Sequence, residues 1–194
     1  MFEHDNGNGS LMRTLPLAFY LESETDITKR YQVIKEVSSI THAHFRSVFA
    51  CFIYVEYAIL LLQGQNKLEA YKNMSVAVSE FAHKMEFNPA EIELFKRVLK
   101  EDISTYNEET IESTGYVLHS LEASFWCLLT TENYSDTVLK AVNLGGDTDT
   151  TATITGGLAG ICYGYDEIPK KWLSQLARFD DIEELIERFN TSLQ

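Results

Sequence analysis

The sequence is poor in cysteine, proline and positive charge, and each shortage excludes a class of protein. Its 3 cysteines, Cys51, Cys127 and Cys162, lie in apolar runs without CxxC spacing, which argues against a disulfide framework or a zinc site and favours a reducing compartment. Only 3 prolines and 45% hydrophobic residues exclude a disordered chain. We therefore predict a single globular domain over residues 1–194, located in the cytoplasm.

Basic residues are too few to balance the acidic ones. The chain has 16 Lys and Arg against 29 Asp and Glu, for a formal charge of -13, and its basic residues form no cluster. Such a charge repels phosphate backbones, so we expect no nucleic-acid partner. The first eight residues are polar and acidic and lack the apolar core of a signal peptide.

The longest apolar run extends from Ser47 to Leu62. It is short for a membrane span and carries Glu56 in its interior, so we predict a buried central helix and no membrane. The helix from Phe45 to Leu62 is apolar nearly all round and needs neighbours on every side. We therefore expect the chain to expose an apolar face where the missing helices would pack, with self-association or a complementing chain to cover it.

Helical spacing of apolar residues dominates the chain, and no run alternates as a strand would. In the first half of the chain the pattern predicts a helix from Asp26 to about Thr41, the central helix ending at Gly64, and a helix over 68–85. A further helix begins at Asn88-Pro89 and directs Ile92, Phe95, Val98 and Leu99 inward. In the second half it predicts helices over 117–129, from Ser135 to Gly145, from about Thr150 onward, and over the acidic segment 180–189. In the helix from Thr150, the glycines at 156, 157, 160 and 164 predict close approach of a neighbouring backbone. The prediction is an all-α bundle.

The segment 145–151, Gly-Gly-Asp-Thr-Asp-Thr-Thr, places two carboxylates and three hydroxyls at a predicted helix start. Hard cations such as magnesium prefer oxygen ligands in a near-octahedral array. Asp147, Asp149 and Thr150 can supply two carboxylates and a hydroxyl from one turn, and Gly145 and Gly146 let the chain bend tightly before them. The alternative is helix capping, for which one such residue is enough.

Two other motifs share part of this pattern. Asp-Thr-Asp-Thr-Thr fits the D-x-D-x-T loop of haloacid-dehalogenase-type phosphatases, but there the first Asp ends a buried strand, whereas a helical segment and two glycines precede Asp147. An EF-hand loop starting at Asp147 requires Gly at its sixth position and Glu at its twelfth. Ala152 and Leu158 stand there instead, which excludes the calcium motif.

Two further features are a glycine-rich loop and, separately, a histidine between two helices. The loop reads Asp5-Asn6-Gly7-Asn8-Gly9-Ser10 and is either an anion-binding or ribose-binding loop or a turn that caps a helix. His42 lies between two helices, where it binds a sugar hydroxyl, ligates a metal or is satisfied by backbone groups. We interpret His44, His83 and His119 as structural.

These elements, taken in order, resemble the ADP-ribosylglycohydrolase family over nearly the whole chain. The matching segments are Gly7 to Arg13, Thr41-His42, Ser113 to Leu118, Leu121-Glu122-Ala123, Leu144 to Thr150, the four glycines from Gly156 to Gly164, and Ile168-Pro169. The resemblance implies an orthogonal bundle of helices. It also implies a two-magnesium site that hydrolyses the bond between ADP-ribose and a modified protein side chain or small molecule.

The resemblance also implies a role for each matching residue. Asp147, Asp149 and Thr150 are similar to the C-terminal metal ligands of the catalytic site, with manganese as an alternative metal. The segment that resembles the phosphate-binding and ribose-binding loop comprises Asn6, Gly7, Asn8, Gly9 and Ser10. His42 matches a histidine that contacts the ribose, and Gly115 and Tyr116 match a loop on the adenosine side.

One part of the family pattern is missing from the sequence. Members of the family carry a Gly-Asp-containing helix and a Thr-Asp-Asp metal motif upstream of the glycine-rich loop, and neither occurs here. We therefore expect this chain to correspond to the C-terminal portion of a family member. Alone it should have little hydrolase activity, and it should need an N-terminal segment to complete the site. The alternatives are an inactive ADP-ribose-binding module and a structural, crystallin-like member of the family.

Overall fold

Helices make up nearly all of the secondary structure in the computed structural model, which describes residues 6–193. The α-helices are α1 (Pro16–Leu21), α2 (Ile27–Ser39), α3 (Phe45–Leu62), α4 (Lys67–Lys84), α5 (Pro89–Glu93), α6 (Lys96–Leu99), α7 (Val117–Leu129), α8 (Tyr134–Asn143), α9 (Thr148–Tyr163), α10 (Lys170–Leu173) and α11 (Phe179–Ser192). Short 3-10 helices span Leu11–Arg13, Ile103–Thr105, Glu108–Thr110 and Tyr165–Glu167. Over these residues the only β-type pairing is one bridge between Gly7 and Tyr116. The all-α prediction is confirmed.

Side-chain caps set the starts of several helices. Asp26 accepts a hydrogen bond from the Thr28 amide at 2.9 Å, which begins α2 at the predicted place. Asn88 accepts from the Ala90 amide at 3.0 Å, and Pro89 occupies the first helical position of α5. The sequence-based starts of both helices are therefore confirmed.

The central helix α3 is covered by the chain's own helices. Of its 18 residues, 14 are buried, and α1, α2, α4, α7 and α9 pack around it. The helix is long and apolar enough to cross a membrane, but it lies inside the bundle as a core helix does. Its one buried acid, Glu56, is paired with Arg30 at 2.6 Å. The neighbours that α3 needs on every side are therefore supplied by these five helices of the same chain.

Exposed apolar side chains are found on α11. None of the 14 residues of this helix is buried, and Ile182, Leu185 and Ile186 are 40%, 61% and 55% exposed. One edge-to-face contact, with ring centroids 6.4 Å apart, joins Phe189 to Phe19 of α1. The predicted acidic amphipathic helix is thus present, and it rests on the bundle through little of its surface.

The predicted helix from Asn88 is interrupted and becomes α5 and α6. At the break, Leu94 turns outward, while the Phe95 ring packs edge-on against Phe49 with centroids 5.0 Å apart. One turn later, Arg97 reaches Glu122 of α7 at 2.7 Å. These contacts with other helices account for the interruption, which local spacing did not predict.

The glycines of α9 were predicted to let the backbone of a neighbouring helix approach closely. In the structure the atoms that pack closely against them belong to side chains. A Cβ atom at Gly157 would lie 2.6 Å from Leu15 Cδ2 and 3.1 Å from the Tyr54 hydroxyl. That hydroxyl donates to the Ile154 carbonyl at 2.9 Å. At Gly160 a Cβ would meet no atom within 4 Å. The helix begins at Thr148, two residues before the predicted Thr150.

Candidate active site

Three segments that are distant in sequence meet at one end of the bundle. They are the loop 6–10, the start of α7 and the start of α9. The Asn8 amide donates to the Gly115 carbonyl at 3.1 Å, and the Val117 amide donates to the Asn6 carbonyl at 2.9 Å. The Asp147 amide donates to the Ser113 carbonyl at 2.7 Å. These backbone bonds hold the glycine-rich loop and the acidic segment on either side of residues 113–117.

The double glycine before Asp147 has a steric reason. Gly145 and Gly146 have φ values of +78° and +65°, which side chains rarely adopt. A Cβ atom on Gly146 would also lie 2.4 Å from the Ser113 carbonyl oxygen, whereas one on Gly145 would meet nothing within 4 Å. The Ser113 hydroxyl donates to the Gly145 carbonyl at 2.6 Å and closes the turn. The tight bend that the sequence predicts is therefore present.

Asp147 occupies the N-cap position of α9, yet its side chain accepts no capping hydrogen bond from the helix. Its Oδ2 atom instead accepts a hydrogen bond from Asn8 Nδ2 at 2.7 Å. This bond lowers the pKa of the Asp147 carboxyl; partial burial opposes the shift and the Thr150 side chain adds to it. Helix capping therefore does not explain Asp147, which is ionised and directed across the site.

Asp149 and Thr150 complete the oxygen-rich turn. Asp149 is exposed in the first turn of α9, where the helix dipole favours a negative charge, and Thr150 is buried. Across residues 6–193 no group of three or more His, Cys, Asp and Glu side chains is gathered as a metal site. The two carboxylates and the hydroxyl suit a hard cation by donor type, but they supply only part of an octahedral shell.

Asn8 is the residue that joins the loop to the acidic turn. Its side-chain amide donates to Ser120 Oγ at 2.8 Å as well as to Asp147. The Ser120 hydroxyl in turn donates to the Thr114 carbonyl at 3.1 Å. Asn8 is only 8% exposed. Sequence reasoning assigned Asn8 to the ligand and missed Ser120, because a serine one turn into a buried helix has no distinctive pattern.

His42 lies against the glycine-rich loop. A Cβ atom on Gly9 would lie 2.9 Å from His42 Cε1, and one on Gly7 would lie 3.3 Å from His42 Nε2. The structure thus brings together two features that the sequence analysis named separately. The absence of side chains at both glycines leaves room for the imidazole.

Two neighbours define the protonation of His42. Arg13 donates to Thr41 Oγ1 and to the Gly9 carbonyl, the latter at 3.1 Å. Because a guanidinium only donates, the Thr41 hydroxyl can donate its own hydrogen to His42 Nδ1, 2.7 Å away. Burial and the charge of Arg13 lower the pKa of His42. In the tautomer that accepts this hydrogen bond at Nδ1, the neutral ring carries its proton on Nε2, toward Gly7.

Tyr116 is held at the opposite edge of the loop. Its hydroxyl accepts from Arg46 Nη1 at 3.3 Å, and Arg46 is itself paired with Glu91 at 2.7 Å. The His119 ring meets the Tyr116 ring edge-on, with centroids 5.0 Å apart. Gly115, next to it, is so close to the acidic turn that a Cβ there would lie 3.6 Å from Asp147 Oδ2. Sequence reasoning found Gly115 and Tyr116 but missed Arg46.

Ser10 is placed differently from the rest of the loop. Its side chain is fully buried, and its hydroxyl accepts a hydrogen bond from the Cys51 thiol at 3.4 Å. The assignment of Ser10 to the ligand is therefore corrected to a supporting position beneath the loop. Asn6 is also buried, at 2% exposure. Asp5, which opens the motif in the sequence, lies outside the described residues.

Comparisons with known proteins identify the family. The model of the ADP-ribosylglycohydrolase family matches residues 2–194. An ADP-ribosylarginine hydrolase, Tri1 of Serratia proteamaculans, is 30% identical over 94% of this chain and 46% of its own length. An ADP-ribosyl-[dinitrogen reductase] glycohydrolase of Rhodospirillum rubrum is 27% identical over 90% of this chain and 52% of its own length.

A solved structure agrees with the sequence comparisons. A chain described as an ADP-ribosylglycohydrolase-related protein complex superposes with a TM-score of 0.79 and 27% sequence identity. The match covers 100% of this chain and 62% of the other. The chain thus spans about half the length of the curated relatives it matches. With the family model matched from residue 2 to 194 and the same helical fold, this chain belongs to the ADP-ribosylglycohydrolase family.

Proposed function

We propose that this chain contributes the C-terminal part of a dinuclear magnesium site that removes ADP-ribose from a modified protein side chain or small molecule. The hydrogen bond of 2.7 Å between Asn8 and Asp147 carries this proposal, because it joins the glycine-rich loop to the acidic turn. A ligand whose phosphates lie on the loop would therefore have its ribose close to Asp147. Two relatives named for ADP-ribosylarginine and ADP-ribosylated dinitrogen reductase support an ADP-ribosylated substrate.

Each part of the site has a separate task in this proposal. Asp147, Asp149 and Thr150 would hold magnesium, or manganese, through two carboxylates and one hydroxyl. When bound, such ions polarise the ribose hydroxyls and lower the pKa of an attacking water. The Nε2 proton of neutral His42 can donate to a ribose oxygen or a phosphate oxygen. The ring of Tyr116, fixed by Arg46, would form one wall for the adenosine.

The number of donors favours a divided site. One turn of α9 offers three side-chain oxygen groups, fewer than two octahedral cations require. We infer that the other metal ligands come from a second segment that carries a Thr-Asp-Asp motif. Such a segment would correspond to the part of the relatives that lies outside the match. The second candidate function, ADP-ribose binding without turnover, is favoured by the same shortage of donors.

Release of ADP-ribose from an ADP-ribosylated arginine peptide tests the proposal. The chain would be assayed with and without magnesium, alone and mixed with the N-terminal segment of a family member. We expect background release by the chain alone and magnesium-dependent release by the mixture. Asp149→Ala should return the mixture to background, whereas the control Asp180→Ala, an exposed acid in the first turn of α11, should leave release unchanged.

Two results would contradict parts of the proposal. Equal release by the wild type and Asp149→Ala in the mixture would remove the acidic turn from the site. Magnesium-dependent release by the chain alone, lost in Asp147→Ala, would show that no second segment is needed. Binding of ADP-ribose by the mixture without release would support the binding module instead.

A further inference from the structure

The side-chain amide of Asn8 has no hydrogen left for a ligand. One of its two N–H groups donates to Asp147 Oδ2 at 2.7 Å and the other to Ser120 Oγ at 2.8 Å. The acceptor at Asp147 fixes the orientation of the amide, because a carboxylate cannot donate when ionised. The same conclusion follows from Ser120, whose hydroxyl hydrogen is directed to the Thr114 carbonyl.

The backbone of Asn8 is fixed as firmly as its side chain. Its amide donates to the Gly115 carbonyl at 3.1 Å, and its carbonyl accepts from the Met12 amide at 3.1 Å. The residue is 8% exposed. Asn8 is therefore a rigid donor whose position is set by the loop, by α7 and by the 3-10 helix that follows the loop.

A rigid donor to one carboxylate oxygen restricts the rotation of the whole group. Asp147 accepts no capping bond from a backbone amide of α9, so the main chain of the helix does not hold its side chain. The bond from Asn8 engages Oδ2 and limits the rotation of the carboxylate, which also interacts with the Thr150 side chain. Groups that orient a metal ligand in this way typically change metal affinity by 10- to 100-fold when they are removed.

We propose that Asn8 is a positioning residue, which orients the Asp147 carboxylate for a divalent cation and is itself oriented by Ser120. This inference takes only one point from the proposed function, namely that the acidic turn binds a divalent cation. It reassigns Asn8 from contact with the phosphates to support of the acidic turn. It also extends the site to Ser120, which no feature of the sequence marked.

Calorimetric titration of manganese and of magnesium into the 194-residue chain tests the proposal. Asn8→Ala should weaken binding by about 10- to 100-fold. Asn8→Asp keeps the shape but replaces the donor with a second acceptor, so it should weaken binding at least as much. Ser120→Ala should give a smaller loss than Asn8→Ala. The control Asn73→Ala removes an exposed amide that donates only to Gln65, and it should bind as the wild type does.

A second measurement does not need the metal. In the wild type, the two side-chain amide protons of Asn8 should be well separated in a proton–nitrogen spectrum, with the one facing Asp147 shifted downfield. Asp147→Ala should remove that shift, and Asp149→Ala should retain it. Circular dichroism of each variant verifies that the helices are intact before either measurement is interpreted.

The outcomes separate this inference from the proposed function. If Asp149→Ala weakens cation binding while Asn8→Ala and Asn8→Asp bind as the wild type does, the inference is wrong and the metal site stands. If the wild type and Asp149→Ala bind cations equally, the metal site is wrong. The spectrum then decides whether Asn8 donates to Asp147. If the Asn8 amide signals are the same in the wild type and in Asp147→Ala, the inference is wrong.

Discussion

The two glycines before Asp147 offer a matched pair of substitutions that test the geometry of the site. Both have positive φ, so Gly145→Ala and Gly146→Ala each place a side chain in the left-handed region at a cost of about 1 kcal/mol or somewhat more. Both also reduce the conformational freedom of the unfolded chain by a similar amount. These two effects therefore nearly cancel when the variants are compared with each other.

Only Gly146→Ala adds a steric conflict. Its Cβ would lie 2.4 Å from the Ser113 carbonyl oxygen and 3.1 Å from the Ser113 carbonyl carbon and hydroxyl. Relief requires movement of backbone, which costs about 1–3 kcal/mol for an overpacked position. It also weakens the 2.7 Å bond from the Asp147 amide to that carbonyl, worth about 1 kcal/mol. We expect Gly146→Ala to be about 2–4 kcal/mol less stable than Gly145→Ala.

Urea unfolding followed by circular dichroism measures this difference directly. The two variants should have similar slopes and clearly different midpoints. Cation affinity, measured by calorimetry, should fall further in Gly146→Ala, because the displaced backbone carries Asp147. Equal stability of the two variants would refute the close approach of Gly146 to Ser113 and, with it, the turn described here.

Three further predictions concern the core, α9 and the wall of the site. Burial raises the pKa of Glu122 to about 7 even beside Arg97. Its contribution to the free energy of unfolding is therefore full below pH 4.5 and is lost as the pH rises through 7, a decrease of about 3 kcal/mol. Urea unfolding of Glu122→Gln should not show this decrease with pH. Gly160→Ala meets no atom within 4 Å and should raise the free energy of unfolding by about 0.5–1 kcal/mol, measured in the same way. Arg46→Ala and Tyr116→Phe both remove the hydrogen bond between these residues, so in calorimetry with ADP-ribose the double variant should lose less affinity than the two single losses added together; additive losses would contradict this contact.

Local sequence pattern predicted most helices because their signals lie within one or two turns. The caps at Asp26 and Asn88 and the apolar run of α3 are examples. The interruption between α5 and α6 was not predictable in this way. It depends on contacts of Phe95 with Phe49 and of Arg97 with Glu122, which come from other helices.

The environment of α3 shows a second limit of sequence reasoning. Its apolar surface correctly indicated neighbours on every side, but composition cannot tell whether those neighbours belong to the same chain. In the structure they do, and α11 carries exposed apolar side chains such as Leu185 and Ile186. The acidic pattern of that helix indicated only a solvated face.

The candidate site was predicted as two separate motifs. Residue types and spacing selected Asp147 and Asp149, and the resemblance to the family selected the glycine-rich loop. They could not show that Asn8 reaches Asp147 across 139 positions, or that Ser10 points into the core. Those facts depend on how α7 and α9 pack, and no local pattern records them.

Binding of ADP-ribose to the 194-residue chain, measured by calorimetry with and without magnesium, tests the central claim most directly. The claim is that the glycine-rich loop and the turn at Asp147 and Asp149 form one site. The wild type should therefore bind ADP-ribose more tightly when magnesium is present, and Asp149→Ala should lose that dependence while keeping the weaker, magnesium-independent binding. Identical affinities for the wild type and Asp149→Ala, with and without magnesium, would contradict the account.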